Sequence, residues 1–137
     1  MTPNIAAYRE THILTRITAM RERNLKLRLM IAELSKGNDP ACLHSLPRLE
    51  KELAYNTQRL SEDISAVEPH INALPDKLRD AATLRYIKGL HISGVAGKLY
   101  FSCRHFYRLD KEIRDLIPPA PPAATAATEN QKGGTEQ

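Results

Sequence analysis

The chain has no tryptophan, two phenylalanines and only 5% aromatic residues, so any core must be aliphatic, built from Leu, Ile, Val and Ala. It has two cysteines, Cys42 and Cys103, far apart in sequence. That is a poor disulfide framework, and a reduced, cytoplasmic chain is expected. No apolar run approaches the ~18 residues needed to span a bilayer, and the N-terminus lacks the basic-then-apolar pattern of a signal peptide, so no membrane partner is expected. Acid is also missing where it would be informative. No Asp or Glu lies between Asp80 and Asp110, a window that holds Arg85, Lys88, Lys98, Arg104 and Arg108. No Gly-rich phosphate loop and no nucleophile–base–orienter motif occurs, which argues against an enzyme.

What is present is helical periodicity over 137 residues with a net charge of +4. Apolar residues at Ile13, Ile17, Met20, Leu27, Ile31 and Leu34 predict a helix over about 3–36, with Asn24 filling the missing heptad slot. A buried Asn at that position is a register device. Gly37 reads as the C′ residue, with Asn38-Asp39-Pro40 as the turn. Leu46, Leu53, Leu60, Val67 and Leu74 recur every seven residues, with Ile64 and Ile71 as partners. They predict a second helix over about 47–67, broken or kinked by Pro69 near Glu68. The two heptad segments can pair with each other or zip against a second copy. Glu50, Glu52, Glu62 and Asp63 read as a wet helix face, as does the basic stretch Arg21, Arg23, Lys26, Arg28. His12, His44 and His70 read as solvated. From Pro118 the composition becomes Pro, Ala, Thr and Gly, which cannot bury a core and predicts disorder.

Residues 76–117 predict three short helices, about 76–88, 92–99 and 102–116. The first buries Leu78, Ala81, Ala82, Leu84, the Arg85 stem and Ile87, and Gly89 stops it. The second and third carry an inward stripe of Val95, Ala96, Leu99, Phe101, Phe106, Leu109 and Ile113, the spacing of a helix-turn-helix whose first position is Ile92. Its outward residues are Cys103, Arg104, His105, Tyr107 and Arg108. Arg pairs bidentately with guanine O6 and N7, and a helix so seated enters the major groove. Ser102 reads as the N-cap of the third helix, its hydroxyl at that helix start also suits a phosphate, and Lys98, Lys111 and Arg114 are candidate phosphate contacts. Cys103, His105 and His91 are too few for a zinc site, so no metal and no cofactor is expected.

The runs INALPDKLRDAATLRYIKGL (71–90) and VAGKLYFSCRHFYRLDKEI (95–113) resemble the sigma-70 region 4-like domain of phage transcriptional regulators, the ArpU and RinA type of late-gene activator. TLRYIKGL, VAGKL and SCRHFYRL carry the resemblance, which is weaker over 5–68 and absent in the tail. It implies promoter recognition by Cys103, Arg104, His105, Tyr107 and Arg108. Tyr100 stands where a turn Gly is usual, Gly94 and Gly97 replace helix formers, and His91 replaces a Ser cap, which puts the first helix of the pair in question.

The expectation is therefore an all-α chain. A coiled-coil-like region (1–68) comes first, then a three-helix helix-turn-helix domain (69–117) and a disordered tail (118–137). The partners expected are double-stranded DNA, host RNA polymerase and a second copy, paired through the N-terminal helices. A small terminase subunit that marks DNA for packaging and a helical adaptor that binds polymerase are the alternatives.

Overall fold

A computed structural model describes residues 11–37 and 39–121, and all of its regular structure is helical. Asn38, residues 1–10 and residues 122–137 lie outside the described residues, and with them most of the expected disordered tail. Five helices follow in order: α1 (Ile13–Lys36), α2 (Pro40–Asn72), α3 (Asp76–Ala82) running on as a π-helical turn (Thr83–Ile87), α4 (Ile92–Leu99) and α5 (Cys103–Leu116).

α1 and α2 lie antiparallel, as the Arg16–Asp63 and Arg23–Glu52 pairs show. The heptad reading finds Ile13, Ile17 and Leu27 buried on α1, with Leu14 added. On α2 the buried positions are Leu49, Asn56, Asp63, Ala66, Val67 and Ile71. Three of these repeat every seven residues, and two of the three are polar. A search for apolar periodicity passes over them, and the supposed wet face loses Asp63 to the interior. Asp63 accepts from Arg16 Nη2 at 3.3 Å, because a buried carboxylate must be paired to stay charged.

The bounds of α2 also correct the expectation. Its start at Pro40 follows from Asp39, whose Oδ1 accepts the Ala41 N–H at 3.0 Å, and from Pro at N1, where a missing N–H costs nothing. The helix runs through Pro47 and Pro69 to Asn72. Past Pro69 it is held by the burial of Ile71 and Leu74 and by the Ala73 N–H, which reaches the Pro69 carbonyl at 3.2 Å. Packing there outweighs one lost backbone bond. Gly37 ends α1 with φ −88 and ψ 164, an extended conformation rather than the left-handed C′ expected. Gly89, at φ +79, is the glycine that does need its freedom.

One buried cluster joins the long helices to the short ones. It runs from Ile13, Leu14 and Ile17 through Val67 and Ile71 to Leu78, Ala81, Tyr86, Val95, Phe106, Leu109 and Ile113. The start of α1 and the segment after α5 are stitched together as well. The Ile13 N–H donates to the Pro119 carbonyl at 2.8 Å. His12, expected to be solvated, instead accepts the Leu14 N–H on Nδ1 at 3.1 Å. Its Nε2 faces the Arg114 and Ile117 carbonyls at 3.1 and 3.2 Å. This one imidazole caps the start of α1 and takes up carbonyls at the end of α5.

α4 forms despite its two glycines, because Val95 and Ala96 are buried. A Cβ at Gly97 would have nothing within 4 Å. Gly97→Ala is therefore expected to stabilise the fold by about 0.5–1 kcal/mol, read as a higher urea midpoint at unchanged m-value. An unchanged or lower midpoint would count against the open space drawn for this position.

Candidate nucleic-acid interface

α4 and α5 are joined by a short turn whose geometry depends on Tyr100. This residue sits in the left-handed region at φ 59, ψ 45, and its N–H closes on the Ala96 carbonyl. A tyrosine thus holds a left-handed conformation in which glycine would be free of strain. The Tyr100 side chain is 94% exposed, so no packing offsets the backbone cost of about 1 kcal/mol. Tyr100→Gly is expected to raise the melting midpoint, by no more than that energy allows. A fall in the midpoint would mean that the tyrosine ring has a partner in the folded state.

Ser102 then caps α5, its Oγ accepting the His105 N–H at 3.0 Å. The hydroxyl assigned to a phosphate is already used as a helix cap, though its O–H remains free to donate. The inward face of α5 is Phe106, Leu109 and Ile113, all buried, and it packs on α3 and α4. Leu99 and Phe101 complete the stripe as partly buried residues. The helix is thereby held by one face along its length.

Its other face is free. Cys103, Arg104, Tyr107, Arg108 and Lys111 are exposed, and so is Lys98 on α4. Among the described residues, neither Arg104 nor Arg108 is in an ion pair. Cys103 is a free thiol. His105 is half-buried and leans edge-on against Phe101, with ring centroids 5.0 Å apart. It is thus partly committed to holding the turn. The first turn of α5 contains no acid, so the positive end of the helix dipole adds to Arg104 and Arg108. Glu112 and Asp115 follow on the C-terminal half and are exposed. The cationic surface of α5 therefore runs from Arg104 to Lys111.

Arg114 departs from the expected set. Its Nε donates to Asp110 Oδ2 at 2.8 Å and its Nη2 to the Tyr86 hydroxyl at 3.1 Å, while Nη1 reaches Thr15 Oγ1 on α1. The guanidinium carbon lies 5.9 Å from the Tyr86 ring centre. Tyr86 in turn donates to Asp110 Oδ1. Burial first, and the Asp110 carboxylate second, push the Tyr86 hydroxyl well above the usual phenol range. Burial works against the Arg114 cation, but Asp110 and Tyr86 outweigh it and hold its proton more firmly. This network ties α1, the π-helical turn and α5 together. It removes Arg114 from the outward set. Tyr86, buried at 1% exposure, was passed over by sequence reasoning. The only signal for it was an aromatic within the π-helical turn, whose one-residue insertion shifts the inward face.

Among the described residues no group of three or more His, Cys, Asp or Glu could hold a metal ion, and no helix is long and apolar enough to cross a membrane. Comparison with protein-family models, with curated proteins and with solved structures finds no match.

Proposed function

We propose that the chain is a sequence-specific DNA-binding transcriptional regulator of a phage or prophage operon. In this reading α4 and α5 form a helix-turn-helix, and α5 reads the major groove of duplex DNA. One observation carries it: among the described residues Arg104 and Arg108 stand exposed and without ion pairs, on a helix whose opposite face, Phe106, Leu109 and Ile113, is buried. A guanidinium left without a carboxylate on a rigidly seated helix suits bidentate pairing with guanine. Lys98 and Lys111 supply phosphate contacts, and the first turn of α5 meets the backbone with its free N–H groups.

The long helices α1 and α2 are the scaffold and the dimerisation element. Leu29 on α1, and Leu43 and Tyr55 on α2, are exposed at 62%, 40% and 62%. This apolar surface is available to a second copy. A dimer would place two α5 helices on half-sites about one helical turn, ~34 Å, apart.

Selection from a random duplex pool tests the reading. Repeated rounds with the full chain are expected to enrich a two-fold related motif, and light scattering is expected to give a dimer. A pool that stays unenriched at low salt would overturn the proposal. A ring of eight or more chains would favour a packaging subunit. Retention on polymerase but not on DNA would favour an adaptor.

A further inference from the structure

Away from the outward face of α5, α1 and the turn after the π-helical segment enclose an open cleft of about 530 Å³. Arg21 and Arg28 of α1 and Arg85 of the π-helical turn line it, with Glu22 its one carboxylate. Among the described residues no ion pair involves any of the three arginines. The basic stretch read as a solvated face is thus divided. Arg23 pairs with Glu52, while Arg21 turns inward and Arg28 faces the cleft.

Arg21 and Arg85 are fixed by the backbone. Arg21 Nη2 donates to the Ile87 carbonyl at 2.9 Å, and Arg85 Nη1 to the Leu90 carbonyl at 3.0 Å. Gly89 makes room for this: a Cβ there would come within 3.1 Å of Arg21 Nε. Helix-end carbonyls account for part of the charge, but donors are left over. Among the described residues Arg21 Nη1 is buried with no hydrogen-bond partner, and so are both polar atoms of Asn24, which lines the cleft at 1% exposure. Buried polar atoms are rarely left unsatisfied, and each such atom calls for an explanation. Burial first, and the Arg85 charge second, pull the Arg21 guanidinium below its ordinary range.

We propose that this cleft binds a phosphorylated small molecule of mononucleotide size, its phosphate held between Arg21, Arg28 and Arg85. Guanidinium forks from two different elements suit the oxygens of a phosphate. The volume falls in the range of small-molecule sites and far exceeds a bare anion. Leu25 and Leu60, also on the lining, offer apolar surface to the uncharged part of the ligand. The site bridges α1 and the segment leading to His91, which caps α4 by accepting the Ser93 N–H. A bound ligand therefore ties the long helices to the helix pair and stabilises the folded state by mass action.

Thermal melting and calorimetric titration of the full chain test this with the four common nucleoside monophosphates, glucose 6-phosphate, inorganic phosphate and adenosine. At least one phosphorylated probe of the panel is expected to raise the melting midpoint saturably. Inorganic phosphate should act more weakly, and adenosine not at all. Arg28→Gln and Arg85→Gln are expected to weaken binding at least tenfold. Arg28 makes no hydrogen bond to the described residues, so its variant keeps the fold, checked by circular dichroism. Arg104→Ala should leave ligand binding unchanged, which separates this site from the DNA-reading helix. The proposal is overturned if no phosphorylated probe binds saturably, if adenosine binds as well as AMP, or if both cleft variants bind as wild type does. It is equally overturned if duplex DNA displaces the ligand and loses affinity on Arg28→Gln, which would assign these arginines to the DNA backbone.

Discussion

Replacing Arg104 by alanine is expected to weaken specific DNA binding by about 1–3 kcal/mol, roughly five- to 150-fold, while leaving the fold intact. Arg104 is exposed and makes no ion pair among the described residues. A surface substitution away from caps and cores usually moves stability by less than about 0.5 kcal/mol, so the loss should appear in affinity alone. Arg104→Lys keeps the charge but loses the planar fork and is expected to rescue little. Arg108→Ala should act similarly but relax specificity at a different base pair. Lys98→Ala should instead weaken all duplexes alike and flatten the salt dependence by about one unit of slope. Fluorescence anisotropy on the selected duplex, at two salt concentrations, separates these outcomes. Wild-type affinity in both arginine variants would remove α5 from the interface.

The second large effect falls two residues away and is opposite in kind. Phe106→Ala is expected to cost about 3–5 kcal/mol of folding stability, as for other large-to-small changes at buried aromatics. Phe106 is 1% exposed and belongs to the cluster joining Val95 of α4 to Ala81 and Ala82 of α3. Against a total of about 5–15 kcal/mol for a domain, that loss is enough to unfold a marginal protein. DNA binding should fall with it, because nothing then holds α5 at its angle. Urea unfolding followed by circular dichroism measures the change. Phe106→Leu, which leaves a smaller void, should cost clearly less. A cost below 1 kcal/mol for the alanine variant would mean that α5 is not seated as described.

Particular residues show how far the primary structure could be read. The stripe Val95, Phe106, Leu109 and Ile113 was legible because all four are apolar and spaced at helical intervals, and the structure buries each of them. Gly89 was legible as a stop, and it takes the positive φ that the stop requires. The run of α2 through Pro69 was not legible, since the local rule for proline is sound and it is the burial of Ile71 and Leu74 that outweighs it. Asn56 and Asp63 were hidden because they are polar residues in a buried seam. His12 looked solvated because its carbonyl partners lie 102 and 105 residues further on.

Among the outward residues the division is sharper. Arg104, Arg108 and Arg114 look alike in a helical projection of basic residues. Two of them stay in solvent, and the third turns to Tyr86, 28 residues earlier, and to Thr15, 99 residues earlier. The order of residues alone determined that this chain is helical and which face of each short helix is apolar, because periodicity is carried by neighbours one or two turns apart. Which arginines remain available, which polar groups enter the core and which cations gather around the cleft were decided only by tertiary packing. Those outcomes depend on partners brought together from distant parts of the chain, and no local pattern encodes them.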